Sequence, residues 1–247
     1  MAWRCTGKTN EALVNNLAHA GILKTPRVIE AFHRIDRAHY VSEPDDAYRD
    51  SPTYIGYGAT ISAPHMHAHA LENIEPFLKP GANVLDVGSG SGYLCGLFHL
   101  LVQPGGTVLG IDHLPELVDL SRRNIAKDPV TAPVLCPEHQ APVSEANRQQ
   151  GKTLQVITAD GRKGAPEGFL PPGGFQAIHV GAAAPRMPEA LVEQLASPGR
   201  MFIPVGDFSQ DIWQVDKDAH GTVTKKRLFG VSYVPLTDAQ DQYDGAR

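Results

Sequence analysis

The sequence predicts an α/β protein built on a doubly wound, mostly parallel open sheet, with an N-terminal helical extension and a C-terminal antiparallel strand pair. Three observations carry this. Four short apolar runs, ANVLDVG, TVLGID, FQAIHVG and RMFIPVG, each follow a Pro-Gly pair, at Pro80-Gly81, Pro104-Gly105, Pro172-Gly173 and Pro198-Gly199. Runs of this kind bounded by Gly and Pro read as buried parallel strands, each preceded by a turn out of a helix. Stretches with helical apolar spacing separate them, and strand alternating with helix gives a parallel sheet covered on both faces.

In chain order, TNEALVNNLAHAG reads as a first helix closed by Gly21, and TPRVIEAFHRI as a second with Thr25 as N-cap and Pro26 at its first position. Pro64 starts a further helix capped by Ser62 or Ala63. The first strand leads into GYLCGLFHLLV and the second into PELVDLSRRNIAK, both helical by spacing. The interval between the second and third Pro-Gly pairs is more than twice the other two, so it must hold a fifth strand, LQVITAD, and a surplus. That surplus is 128–152, a stretch with four prolines and no clean periodicity, and it reads as an inserted surface loop. MPEALVEQLA is the helix after the fourth strand, and DIWQVDKD with TKKRLFGVSYVPLT forms a late hairpin turning at 218–221. The whole is expected to be one domain, with a helical segment over 1–78, a core over 79–205 and closing strands over 206–247.

Composition narrows the function. A 42% hydrophobic and 20% charged chain can bury a core, which excludes disorder despite 24 Gly and 20 Pro. The formal net charge of −5 and pI near 6.1 provide no general attraction to nucleic acid or anionic membranes. Cys5, Cys95 and Cys136 are too few and scattered for a disulfide framework or thiolate metal site. The opening residues lack the apolar stretch of a signal peptide, and the most apolar window, Tyr93–Val102, is too short to span a bilayer. A reducing, cytoplasmic compartment is the expectation. Arg34, Arg37, Lys225, Lys226 and Arg227 read as solvated surface charge that could help attract an anionic substrate.

The chemistry begins at Asp86-Val87-Gly88-Ser89-Gly90-Ser91-Gly92, between the first strand and a helix, where backbone amides can face a ligand without Cβ obstruction. A dinucleotide G-x-G-x-x-G pattern would need glycine at Tyr93, and no phosphate-cradling G-x-x-x-x-G-K-[ST] is present. The form D-x-G-x-G-x-G instead resembles the first motif of class I S-adenosylmethionine-dependent methyltransferases. A ligand with an ammonium and a sulfonium in place of phosphates suits nearby carboxylate and carbonyl oxygens. Asp112, ending the second strand, is placed to take both hydroxyls of a ribose, and Asp160 ends the third strand. For either aspartate alone a helix N-cap is an equal reading; a nicotinamide-dependent reductase is the outside alternative.

Upstream, ATISAPHMHAH carries His65, His67 and His69 at alternate positions. On a strand they would share one face and suggest a metal. On the helix that Pro64 starts they spread over about 200° and cannot close on one ion, so no metal is expected. Ser62 is a nucleophile by residue type, but no G-x-S-x-G elbow surrounds it.

Taken together and in order, ATISAPHMHA, LDVGSGSGYL, GIDHLPELV, ADGRKG, AIHVGAAAP, GRMFIPVG and YVPLT, with the opening MAW and Asp50-Ser51-Pro52, closely resemble the protein-L-isoaspartate (D-aspartate) O-methyltransferases. The resemblance covers nearly the whole chain apart from 128–152. It departs at Gly206-Asp207-Phe208-Ser209-Gln210, which is shorter and less glycine-rich, and at His69, where an aromatic is common.

The resemblance implies the Rossmann-like class I methyltransferase fold. It implies S-adenosyl-L-methionine as cofactor, with S-adenosyl-L-homocysteine as product, and isoaspartyl-containing peptides and proteins as substrates of a repair methylation. Ala59, Thr60, Ile61 and Ser62 would line the meeting point of donor and acceptor, with Ser62 as the catalytic residue. His67, Asp86, Gly88, Ser89, Gly90, Ser91 and Gly92 would hold the cofactor. Asp112, His113, Leu114, Pro115 and Glu116 would take its ribose side and Asp160 and Gly161 its adenine, while Thr237 and Gln242 would close the site. A monomer that engages neither nucleic acid nor membrane is expected. The alternatives are a methyltransferase of the same fold acting on a small molecule or RNA, or a binding module without turnover.

Overall fold

The computed structural model describes residues 5–137 and 141–245 of the 247-residue chain, so the opening MAW lies outside the described residues. Two helices come first, α1 (Asn10–His19) and α2 (Pro26–Arg34), then a small hairpin of β1 (Thr53–Gly56) and β2 (Ala59–Ile61), then α3 (Pro64–Ile74). Gly21 has φ +69° where the first helix closes. Thr25 stands at the N-cap of α2, yet its hydroxyl donates to the Glu72 carboxylate at 2.8 Å. Glu72 also accepts the N–H groups of Lys24 and Thr25, which ties α2 to α3. At α3 the N-cap is Ala63, which has no capping side chain; the orphan N–H of His65 is taken by Asp50 at 3.0 Å instead.

The core alternates as the apolar runs require: β3 (Asn83–Val87), α4 (Tyr93–Val102), β4 (Thr107–Asp112), α5 (Pro115–Lys127), α6 (Glu145–Gln149), β5 (Leu154–Thr158), β6 (Phe175–Val180), α7 (Glu189–Gln194) and β7 (Leu195–Val205). Then come β8 (Gln210–Lys217), β9 (Val223–Val231) and α8 (Ala239–Gly245). The seven-stranded sheet runs β5-β4-β3-β6-β7-β8-β9, parallel through β7 and antiparallel beyond it. Strand alternation builds two cores. Val84, Val108, Val156, Ala177 and Phe202 pack on the side of α1 to α5, while Leu85, Leu109, Ile157, Ile178 and Met201 pack with Leu191 of α7 on the other.

Four expectations change. Pro198-Gly199 does not precede the last parallel strand; it lies inside β7, whose register against β6 shifts between Phe175 and Ala177. A proline inside a sheet belongs at such an irregularity. The helix in MPEALVEQLA is correspondingly short, because Leu195 and Ala196 are already buried in the sheet. The described part of 128–152 is anchored: Asp128 and Cys136 are buried, Leu135 bridges to Leu154, and Ser144 caps α6 by accepting the Asn147 N–H. Finally, Arg37 is fully buried and not a solvated surface charge. The hairpin turn at 218–221 is as read, with Asp218 accepting the N–H groups of His220 and Thr222.

Candidate active site

Strand order reverses between β3 and β6: the chain leaves β3 toward β4 and leaves β6 toward β7. Loops at such a point diverge and open a crevice at the carboxyl ends of the strands. Here they interlock through backbone, with the Gly88 N–H donating to the Ile111 carbonyl and the Gly181 N–H to the Val87 carbonyl, both at 2.8 Å. Ala183 binds the returning C-terminal segment on both sides, its N–H to Val234 and its carbonyl from the Leu236 N–H. That pairing lays Val234, Pro235 and Leu236 across the crevice.

The crevice divides into three connected clefts. The first is lined by Ala59, Gly88, Gly90, Asp112, His113, Gly161 and Gln242, with Val87, Ile111, Leu117, Ala182 and 234–236 as its apolar walls. In the second, Ile61, Ser62, His67, Asp86, Ser89 and Ser91 face Leu94 and His179. The third opens outward between Pro52, Ser62, Ala63, Met66, Ser232 and Tyr233. Thr60 and Gly181 line all three, so the clefts converge on the space between these two residues.

The polar groups are strongly organised. Asp112 accepts the Gly90 N–H at 3.1 Å and the Leu114 N–H at 3.3 Å, and burial raises its pKa above the ordinary carboxylate value. Asp86 is buried and lies 2.7 Å from His179 Nδ1, with the Cys95 thiol donating at 3.2 Å. Burial and this carboxylate push the Cys95 thiol up, which keeps it inert. Arg37 donates from Nη2 to the Ser62 carbonyl at 2.9 Å and from Nη1 toward His67 Nδ1 at 3.3 Å. Burial first, then the Arg37 charge, holds His67 well below its usual pKa. Neutral His67 therefore accepts at Nδ1 and keeps its proton on Nε2. Tyr233 is half-buried; burial raises its phenol pKa, and a hydrogen bond with the Ser62 hydroxyl pulls it the other way.

The three histidines of α3 have three separate surroundings. His65 pairs with Asp50 at 2.7 Å, His67 meets Arg37 and the Tyr93 ring, and His69 packs on Phe229.

Of the residues singled out from sequence, Ala59, Thr60, Ile61, Ser62, His67, Asp86, Gly88, Ser89, Gly90, Ser91, Asp112, His113, Gly161 and Gln242 line the clefts. Six others do not. Gly92 caps α4 at φ +83°, and a Cβ there would collide with Ser121 of α5, so it serves helix packing. Leu114 is buried at the N-cap of α5 and Pro115 is its first residue. Glu116 accepts the Tyr243 hydroxyl at 2.6 Å. Asp160 caps a single 3-10 turn and forms a paired contact with Arg162, at 2.9 and 3.0 Å, which lowers its pKa. Thr237 donates to Asp241 at 3.3 Å. The structure adds His179, Gly181 and Tyr233, which sit in AIHVGAAAP and YVPLT, and brings Arg37 from the expected surface to the site.

A sulfonium-bearing nucleoside amino acid fits these walls. Ser89 Oγ is buried in the second cleft without a hydrogen-bond partner among the described residues. A Cβ on Gly181 would lie 2.9 Å from the Gly88 carbonyl oxygen, in the space the clefts share. The Asp112 carboxylate, which accepts two backbone N–H groups and retains further lone pairs, stands in the same cleft as the apolar side chains of Ile111 and Leu117.

Comparison with known proteins agrees. The family model for protein-L-isoaspartate(D-aspartate) O-methyltransferase matches residues 8–241. Protein-L-isoaspartate O-methyltransferase 1 of Arabidopsis thaliana is 44% identical over 236 residues, 96% of this chain and 94% of its own length. The Caenorhabditis elegans enzyme is 41% identical over 246 residues, 99% of each chain. A Plasmodium falciparum protein described as an isoaspartate O-methyltransferase, solved in complex with S-adenosyl-L-homocysteine, superposes with a TM-score of 0.78 at 32% identity, covering 94% of this chain and 99% of that one. By sequence, fold and the arrangement of its clefts, the chain belongs to the protein-L-isoaspartate (D-aspartate) O-methyltransferase family.

Proposed function

We propose that this chain repairs damaged proteins by methylating the free α-carboxylate of L-isoaspartyl residues, and of D-aspartyl residues, with S-adenosyl-L-methionine as donor. The observation that carries the reading is the convergence of the three clefts on Thr60 and Gly181. The first cleft suits the nucleoside and the second the amino-acid end of the donor, while the third is open to a polypeptide.

When bound, S-adenosyl-L-methionine supplies a methyl group on a sulfonium, which a carboxylate oxygen takes with release of S-adenosyl-L-homocysteine. The chain's own task is placement. An α-carboxylate, with a pKa near 3.5, is already ionised at neutral pH, so no residue has to remove a proton. Holding reactants in line supplies roughly 7 to 11 kcal/mol of such a barrier. Ser62 orients the acceptor carboxylate: Arg37 fixes its backbone through the carbonyl, and Tyr233 shares its hydroxyl at the third cleft. His67 offers an Nε2 proton to the second cleft; with the donor bound, Asp112 would accept the ribose hydroxyls, and Ser89 and the paired Asp86 would receive its ammonium. Leu117 and Ile111 would enclose the adenine, with Gln242 over it.

The acidic balance supports a chain that works without nucleic acid or membrane. Cys5, Cys95 and Cys136 are buried and form no disulfide among the described residues, which supports a reducing cytoplasmic setting, and we read the enzyme as a monomer.

The test incubates the purified protein with methyl-labelled donor and two peptides identical except for an aspartyl or isoaspartyl linkage. Base-labile label on the isoaspartyl peptide alone is expected; equal labelling of both, or of neither, rejects the reading. Ser62→Ala should lower turnover at least ten-fold with little change in donor affinity.

A further inference from the structure

Outside the convergent clefts the largest cavity, about 940 Å³, opens directly onto the acceptor side. The two spaces share Pro52, Ala63, Met66, Ser232 and Tyr233, so they form one continuous groove leading away from Ser62. Its far walls come from α3 and from β9, the end strand of the sheet. On β9 and the residues after it, Phe229, Val231 and Tyr233 alternate along the chain and all line the groove; opposite them stand Ile22, Met66 and His69.

Three properties describe what this space accepts. None of its lining residues is Asp, Glu, Lys or Arg, and its two histidines are already engaged, His65 by Asp50 and His69 by the Phe229 ring, so a charged side chain entering it would lose water with little to replace it. Phe229 is 36% exposed, apolar surface left open beside a polar active centre. The walls are also fixed in place. The Gln210 side chain accepts the Tyr233 N–H at 2.6 Å and donates to the Tyr233 carbonyl at 3.1 Å, and His69 rests on the Phe229 ring with centroids 5.4 Å apart. A preformed apolar groove binds without first being ordered.

We infer that this groove is a side-chain subsite of the acceptor: it takes an apolar residue neighbouring the isoaspartyl residue, with Phe229 and Ile22 setting the preference. The inference rests on the isoaspartyl reading above, because only a polypeptide acceptor carries a side chain from Ser62 into the adjoining space. A repair enzyme must meet many local sequences, and a broad apolar surface rewards side chains by area without demanding one shape. The groove would favour damaged segments that carry leucine or phenylalanine beside the isoaspartyl residue over those that are polar there.

The experiment measures kcat/KM on isoaspartyl peptides that differ only at the flanking positions, with leucine, serine or glutamate placed on one side and then the other, together with the matching aspartyl peptide. Wild type should prefer leucine over serine by roughly ten-fold on at least one side, mainly in KM, and glutamate should be poorest there. Phe229→Ser and, separately, Ile22→Ser should erase the leucine advantage while leaving the serine peptide unchanged, in proteins whose thermal unfolding matches wild type; either variant alone decides the matter. Equal rates for leucine and serine on both sides, or a preference that survives in a folded variant, would overturn the inference. Absence of isoaspartyl over aspartyl discrimination would instead reject the underlying activity, so the two failures are separable.

Discussion

Arg37 and Ser62 are joined through backbone: the buried guanidinium donates from Nη2 to the Ser62 carbonyl at 2.9 Å, while Nη1 meets His67 on the donor side. One rigid fork therefore sets both the acceptor serine and the tautomer of the histidine beside it. Desolvation lowers the Arg37 pKa to about 10, so it stays charged across the neutral range. Lysine keeps the charge but has a single donor head and cannot span both acceptors. We expect Arg37→Lys to lower kcat by roughly 10²-fold through misplacement of about an ångström. Steady-state kinetics with circular dichroism checks this: wild-type kcat in a folded variant would remove the fork from the mechanism.

Buried neutral histidines give the fold an acid-side weakness. Desolvation lowers His99 from 6.5 to about 4, and His67 is lowered in the same direction. Each is neutral in the native state and protonates on unfolding, so the unfolded chain binds more protons below 6.5 and stability falls as pH drops through that value. The His99 share reaches on the order of 3 kcal/mol by pH 4. Thermal unfolding should be flat above pH 7 and fall from 6.5 downward, and His99→Gln should reduce the slope. An unchanged slope in that variant would contradict the assignment.

The parallel strands were legible because Pro, Gly and β-branched runs act locally, and Gly88 through Gly92 carry their conformational demand in their own identity. Arg37 was not legible. Its burial comes from His67 of α3 and Tyr93 of α4 closing over a residue midway along the helical segment, a contact no local pattern encodes. Asp160 and Glu116 show a related limit: a carboxylate after a strand suits a ribose, an adenine or a helix cap equally, and the sequence does not announce the contacts with Arg162 and Tyr243 that the fold gives them. Tyr233 lay in a quoted motif without a role, since its partner Ser62 is distant in sequence. The β1–β2 hairpin left only a weak trace: Gly56 and Gly58 flank Tyr57 in its turn, all three at positive φ, but strands of four and three residues are too short to show an alternation.

Asp112 should separate ligand binding from stability. Burial raises its pKa, so the native state disfavours the charge, and stability contributed by the protonated form is lost as pH rises through the raised value. Asparagine removes that cost and keeps one carbonyl oxygen for the Gly90 N–H, but turns an amide toward the Leu114 N–H. These effects oppose each other, and the melting temperature should move by no more than about 4 °C. Donor affinity should fall roughly 10- to 100-fold, because a carboxylate accepting two hydroxyls is replaced by a group with one acceptor. Calorimetric titration with S-adenosyl-L-homocysteine measures it; unaltered affinity would place the ribose elsewhere.

Gln242 ties the C-terminal helix to two loops that wall the first cleft. Its Nε2 donates to the Tyr57 carbonyl at 2.8 Å and its Oε1 accepts from His113 Nε2 at 2.6 Å, so one side chain bridges the tip of the β1–β2 hairpin and the loop after β4. The rest of α8 is held mainly by Tyr243 on Glu116. Gln242→Ala removes both bonds without entering the core and should act on ligand exchange more than on the fold. We expect the dissociation rate of S-adenosyl-L-homocysteine to rise about ten-fold with kcat unchanged or higher, since product release limits many enzymes with a closing segment. Gln242→Glu retains the bond to His113 and loses the one to Tyr57, so its dissociation rate should fall between the two. Stopped-flow displacement resolves the order. Identical rates in all three proteins would show that Gln242 does not hold the helix over the cleft.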